Sequence, residues 1–330
     1  MKTLVTGATG FMGSSIVREL LKDGAEVRVL VRENSDTRNI DGLDVEKAYG
    51  DIRDAECMKA ALKGCETFYQ TAALFVLWAP DSKVFYDVNV EGTKTALNAA
   101  LEQGVEKVVY TSSCITIGCH GADRPANEEA EFNLWDTGEH YTRSKYLGEV
   151  EALKICSKGL PLVVVNPATP VGVRDIKPTP VGKFIVDVLN KKMPGYIDAG
   201  LNLVDVEDVA RGHILAAQKG RIGERYILAN ENMSTRDYFR LIGEVSGVEP
   251  PKFRIPYPLA IAMGYVYEFA SRITRRPPLI TAAGVRAASK YMAFDSSKAV
   301  NQLGFPQTPI RTSIEKAVNW FRENGYVKAG

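Results

Sequence analysis

Gly7-Ala8-Thr9-Gly10-Phe11-Met12-Gly13 is the stretch whose reading decides the fold. Its glycines fall at GxxGxxG spacing, after the short apolar run 3–6 and before 14–22, where Ile16, Leu20 and Leu21 recur at helical spacing. Glycines let the chain turn sharply and bring its backbone close to a pyrophosphate. The helix that follows offers unpaired N–H groups and the positive end of its dipole to the phosphates. Strand, glycine loop and helix in that order predict a dinucleotide site, with Gly7, Thr9, Gly10, Phe11, Met12 and Gly13 around the diphosphate.

Outward from the loop the pattern repeats. Apolar stretches at 26–32, 45–49, 67–71, 107–111 and 162–165 alternate with helical spacing at 58–62, 88–103 and 139–157. Such alternation implies parallel βαβ units, and right-handed crossovers bring the loops after the strands to one edge of the sheet. The expected class is α/β, a Rossmann-type doubly wound parallel sheet. Beyond Pro167 prolines cluster, and helical spacing recurs at 183–190, 206–218, 235–246, 259–273 and 314–321, with one more strand at 225–228. That half reads as a smaller, mostly helical substrate lobe. The expected division is a dinucleotide-binding domain over 1–166, with returning segments around 201–230, and a substrate-binding lobe over 167–200 and 231–330.

Composition narrows the function. A chain of 330 residues, 45% hydrophobic and 25% charged, can bury a core without staples. Its 41 Lys and Arg balance 40 Asp and Glu, which argues against a nucleic-acid partner. No apolar run has the length of a membrane span, and the N-terminus runs into glycines with no secretory leader, so the expected location is the cytoplasm. Five cysteines without a CxxC pair fit a reducing compartment. Cys114, Cys119 and His120 lack a fourth ligand at a recognisable spacing, and no metal is expected.

The end of the second strand, Val29-Leu30-Val31-Arg32-Glu33, bears on which dinucleotide binds. An acid there would hold the ribose 2′-OH of NAD, whereas an arginine favours the 2′-phosphate of NADP. Val31 stands at the acid's place, with Arg32 next and Arg38 nearby, which predicts NADP(H) over NAD. A shift of one residue would put Glu33 in the slot instead. Downstream, Tyr141-Thr142-Arg143-Ser144-Lys145 has YxxxK spacing, which puts phenol and ammonium on one helix face. An ammonium near a phenol favours phenolate and is expected to lower the Tyr141 pKa, making Tyr141 a candidate general acid–base. Val108-Val109-Tyr110-Thr111-Ser112-Ser113 ends the fifth strand at the ligand edge, where a hydroxyl can bond a substrate oxygen.

Taken together, glycine loop, strand-end serine and YxxxK resemble the extended short-chain dehydrogenase/reductase superfamily, in its epimerase/dehydratase/reductase branch. The resemblance covers nearly the whole chain, through TGATGFMG, GDIRD, TAA at 71–73, NVEGT at 89–93, VVYTSS, YTRSK and VVVNPATPVG. Within the branch the chain is most similar to the hopanoid-associated sugar epimerase group and to dihydroflavonol 4-reductases. LFVLWAPD at 74–81, NPATPVGVRDIKPTP at 166–180 and GRIGERYIL at 220–228 carry that closer likeness. The resemblance implies that Tyr141 passes the proton, that Lys145 orients the nicotinamide ribose and tunes Tyr141, and that Ser113, or else Ser112, bonds the reacting oxygen. It further implies Asp51 and Ile52 beside the adenine, Ala72 and Ala73 in the loop after the fourth strand, and Pro167 and Thr169 towards the nicotinamide. Asn89 would be a structural or water-holding residue.

Reductases and epimerases of this kind share one core. Arg32 favours net reduction with NADPH. Nucleotide-sugar members of the branch tend to carry an arginine that grips the diphosphate where this chain has Leu201, although Arg174, Lys177 or Arg211 could substitute. The expected activity is therefore NADPH-dependent reduction of a carbonyl on a small or hydrophobic substrate, in the manner of a dihydroflavonol 4-reductase. The alternatives are a nucleotide-sugar epimerase/dehydratase that recycles bound NAD(P), and a non-catalytic NADP-binding regulator. Phe75, Leu77, Trp78, Ile115, Phe132 and Trp135 are candidates for apolar pocket walls, while His120 and His140 read as bystanders. The resemblance also allows a homodimer through the helices 88–103 and 139–157.

Overall fold

The computed structural model describes residues 2–76, 78–275 and 277–328. The first half contains β1 (Lys2–Thr6), α1 (Phe11–Lys22), β2 (Glu26–Val31), β3 (Glu46–Tyr49), α2 (Ala55–Leu62), β4 (Thr67–Gln70), α3 (Lys83–Tyr86), α4 (Thr93–Glu102), β5 (Lys107–Thr111), α5 (His140–Cys156) and β6 (Leu162–Pro167). The second contains β7 (Thr169–Val171), α6 (Pro180–Leu189), β8 (Gly200–Asp205), α7 (Val206–Lys219), β9 (Arg225–Leu228), β10 (Glu231–Ser234), α8 (Thr235–Ser246), α9 (Tyr257–Thr274), α10 (Ala282–Ala288), α11 (Ser297–Leu303) and α12 (Ile310–Glu323).

Side-chain alternation builds the sheet. Leu4, Phe68, Val108 and Val164 point to one face and meet Met58 and Leu62 of α2 and Leu97 of α4. Val5, Tyr69, Val109 and Val165 point to the other and meet Ile16 of α1 and Val209 and Ile214 of α7. Covered on both faces, the strands pair in parallel in the order β3-β2-β1-β4-β5-β6-β9, a Rossmann-type doubly wound sheet. The chain reverses its direction of travel across the sheet between β1 and β4, and the carboxyl ends of the strands there open a crevice.

The stretch expected as one helix over 88–103 is interrupted. A π-helical turn, Asp87–Gly92, joins α3 to α4 and directs Asn89 into the interior. The Asn89 amide clamps the loop after β4: it accepts from the Leu74 N–H at 2.7 Å and donates to the Leu74 carbonyl at 3.2 Å and to Ser144 Oγ at 3.0 Å. Gly148 permits this close approach, because a Cβ there would strike the Asn89 carbonyl.

The second half is mostly helical, as its sequence suggests, with α10 and α11 in addition to the helices that spacing indicated. Three short strands form a separate sheet in the order β10-β8-β7, with β7 parallel and β10 antiparallel to β8. Glu231-Asn232-Met233-Ser234 and Thr169-Pro170-Val171 are too short and too polar to announce themselves by periodicity. Val171 and Leu203 from this sheet pack with Ile185, Phe239, Ile314 and Phe321 into a third core.

Candidate active site

The glycine loop and YxxxK open into one cleft of about 680 Å³ at the carboxyl edge of the large sheet. At Gly7 the backbone takes φ 69°, and a Cβ there would run into Thr71 and the Ala72 N–H. The close approach is held by the Thr71 and Ala72 N–H groups, which donate to Thr6 Oγ1 at 3.2 and 3.3 Å, and by the Thr71 hydroxyl, which donates to the Thr6 carbonyl. Ala72 and Ala73 thereby join the rim. A Cβ on Gly13 would land on the Gly7 carbonyl. No side chain caps α1 at Gly10, so the first turn turns bare backbone towards the cleft beside Thr9, Phe11 and Met12. A tight cradle without side chains at an uncapped helix start fits a dinucleotide diphosphate.

At one end of the cleft lie Arg32, Asp51 and Ile52. β2 ends at Val31, which places exposed Arg32 on the rim, whereas Glu33 does not line the cleft. Arg38 is paired with Asp36 at 2.7 Å. Hydrogen bonds from Arg53 hold the Asp51 carboxyl below the ordinary carboxylate range.

Ser113, Tyr141 and Lys145 line the same cleft, as do Pro167 at the end of β6 and Thr169 at the start of β7. Phe75 packs against the Tyr141 ring with centroids 5.1 Å apart. The Lys145 ammonium is buried and donates to the Thr111 carbonyl at 2.9 Å. Here the expected electrostatics are revised. Burial, helped by Glu139 and Cys114, raises the Tyr141 pKa above its ordinary value, and a side-chain contact with Ser113 offsets only part of that. Desolvation disfavours the charged phenolate, so the phenol tends to hold its proton. Ser112 is buried beneath, near Thr116, while Ser113 is half-exposed to the cleft.

Burial also pushes the Lys145 amine down to about 8, against the pull of Glu149. Below that pH both folded and unfolded chains carry the proton, and the fold bears the whole cost of the buried charge. Between about 8 and 10.5 the unfolded chain binds the extra proton, so this contribution to stability rises with pH. Between pH 8 and 10 the stability of the wild type relative to Lys145→Met is expected to rise by about 2 kcal/mol in denaturant titrations. A flat difference would show that the amine is not desolvated.

Beneath these residues lies a buried network that the sequence reading missed. Glu149 Oε2 accepts from Thr116 Oγ1 at 2.7 Å and Asn166 Nδ2 at 2.8 Å, while Oε1 faces Arg225 at 3.3 Å. Its signal was present: Tyr141, Lys145 and Glu149 follow one another at four-residue intervals on α5. Asp175 was missed as well. It lines the cleft, burial pushes its carboxyl up to about 6, and its Oδ1 has no partner among the described residues.

Of the expected apolar walls, Phe75 and Ile115 line the cleft, joined by Leu74, Val181, Phe184 and Leu201. Phe132 and Trp135 instead pack with Tyr146, at 4.2 and 5.5 Å between centroids, because α5 turns that face away from the cleft. Trp78 is not part of the wall either, and Leu77 lies outside the described residues. Among the arginine substitutes, Arg174 pairs with Glu207 and Arg211 with Asp23, leaving Lys177 on the cleft. His140 bonds Tyr86 away from the cleft.

Comparison with known proteins agrees with this architecture. The profile of the NAD dependent epimerase/dehydratase family matches residues 3–229. A Synechocystis sp. protein with the provisional name dihydroflavonol 4-reductase is 40% identical over 328 residues, covering 98% of this chain and 95% of that protein. Sterol demethylase protein B of Methylococcus capsulatus is 35% identical over 329 residues, covering 99% of this chain and all of that one (100%). The crystal structure of gox2253 superimposes with a TM-score of 0.89 at 42% identity, covering 99% of both chains.

Proposed function

The chain belongs to the NAD dependent epimerase/dehydratase family, within the extended short-chain dehydrogenase/reductases, and from that premise we propose that it is an NADPH-dependent reductase of a carbonyl on a hydrophobic substrate. It is an NAD(P)-dependent oxidoreductase by family; direction, cofactor preference and substrate class are our reading. One observation carries it: Tyr141 and Ser113 line the same cleft as the glycine cradle, among apolar walls with leucine rather than arginine at position 201.

The nicotinamide, when bound, supplies hydride to the carbonyl carbon. Tyr141 gives its proton to the carbonyl oxygen as charge develops there. Ser113 donates a second hydrogen bond to that oxygen. Lys145, anchored on the Thr111 carbonyl, keeps positive charge beside the phenol as the proton leaves. Phe75, Ile115 and Phe184 exclude water from the reacting group and favour an apolar substrate. The test is NADPH oxidation with a panel of aldehydes, ketones and flavanonols. Interconversion of UDP-sugars without net NADPH use would overturn the reductase, and neither activity would favour a regulator.

A nucleotide-sugar epimerase is the second reading, supported by Lys177 on the cleft, which could grip a diphosphate. For the cofactor, Arg32→Ala is expected to raise KM for NADPH about tenfold while leaving KM for NADH within about twofold, since only NADPH offers a 2′-phosphate to a guanidinium. Equal effects on both cofactors, or none, would remove Arg32 from that role.

A further inference from the structure

One long helix, α9, is covered on one side only. α9 turns Ala260, Gly264 and Ser271 inward, and its Glu268 accepts from the Ala282 N–H of α10 at 2.8 Å. A Cβ on Gly264 would strike Ala282, so the two helices are in close contact there. The opposite face carries Leu259, Ala262, Val266, Phe269 and Ile273, alternately three and four residues apart. All five are exposed, the large ones by 48 to 71% of their surface. Phe253, Tyr257, Tyr265 and Leu279 extend the patch and are exposed as well. An apolar stripe at the period of a helix normally faces a core, and this one faces outwards.

Charge indicates what covers it. Residues 251–276 hold five Lys or Arg, namely Lys252, Arg254, Arg272, Arg275 and Arg276, and a single acid, in a chain whose total charge is only +1. That acid, Glu268, is the residue turned towards α10. Lys252 and Arg254 form exposed pairs with Glu249 and Asp198, of the kind that contributes little. Apolar side chains with aromatics among them, bordered among the described residues by Lys252, Arg254 and Arg275, match the boundary between anionic headgroups and acyl chains. A second copy of the chain would bring a stripe with the same positive border against it, which charge disfavours. Among the described residues no helix is long and apolar enough to cross a membrane, so the helix would lie in the surface.

We propose that α9 docks this protein on an anionic lipid surface, with Leu259, Val266, Phe269 and Ile273 inserted among the acyl chains and Lys252, Arg254 and Arg275, exposed at its two ends, on the headgroups. The inference goes beyond the reductase reading, and because binding is measured without turnover it stands or falls separately. The test is flotation of the full-length protein with vesicles of phosphatidylglycerol and phosphatidylcholine, and with phosphatidylcholine alone. The wild type is expected to float with the anionic vesicles and to be released in part by salt. The double variant Val266→Asp, Phe269→Asp is expected to partition about tenfold less or worse, with NADPH binding unchanged. Wild type that stays with the aqueous phase, or a double variant that floats equally well, would overturn the proposal. So would a wild-type dimer that the double variant dissolves, with no vesicle binding. Should the double variant not fold, Phe269→Trp serves: quenching by brominated lipid above the wild-type background is expected, and its absence counts against docking.

Discussion

Tyr141→Phe is expected to lower turnover about 10³-fold while NADPH still binds within about threefold of the wild type. The substitution removes one oxygen. The ring keeps its packing against Phe75, and the glycine cradle is untouched. What disappears is the proton donor. Burial keeps that proton on the phenol in the resting site, so it is available when charge develops on a substrate oxygen. Steady-state NADPH oxidation gives the first quantity and calorimetry with NADPH the second. Turnover within tenfold of wild type would mean that another group, or water, supplies the proton. A parallel loss of cofactor affinity would mean that the variant has disturbed the cleft itself.

The second large effect is expected at Glu149. Glu149→Ala removes one partner from each of Thr116, Asn166 and Arg225, which keep their bonds to the Ser113 and Glu128 carbonyls, and removes the negative charge that favours protonated Lys145. Removing the carboxylate leaves donors of Thr116, Asn166 and Arg225 under-satisfied in a buried setting, typically at a cost of about 2–3 kcal/mol. Denaturant titration of the variant checks this; a loss below about 1 kcal/mol would show that water replaces the carboxylate. Glu149→Gln separates positioning from scaffolding. Its neutral amide nearly preserves shape but no longer holds up the Lys145 pKa, so the amine loses its proton below about 8. The alkaline limb of kcat/KM for reduction is then expected to move down by about one pH unit. A purely structural role would lower stability and leave that limb in place.

Much of the site could be read from the chain because its chemistry is local. GxxGxxG is one turn, YxxxK is one face of one helix, and Ser113 is one strand end. Each is specified by spacings of a few residues, and the parallel sheet then brings every strand end to the same edge. Register is local too: β2 ends at Val31, and Arg32 rather than Glu33 meets the cleft. Phe132 and Trp135 misled because composition marks an aromatic as apolar without saying which face of α5 it covers. The small sheet was invisible for the same reason: β7, β8 and β10 are strands only because they find one another.

By itself the sequence determined the doubly wound sheet, the tight glycine loop after β1 and the order of Ser113, Tyr141 and Lys145, since hydrophobic period and glycine placement act within one βα unit. Tertiary structure alone decided the direction in which the Tyr141 and Lys145 pKa values move, the network around Glu149, the pairing of Arg174 and Arg211 elsewhere, and the bare face of α9. Desolvation, ion pairing and exposure depend on which distant segments close over a side chain, and no window along the chain contains that information.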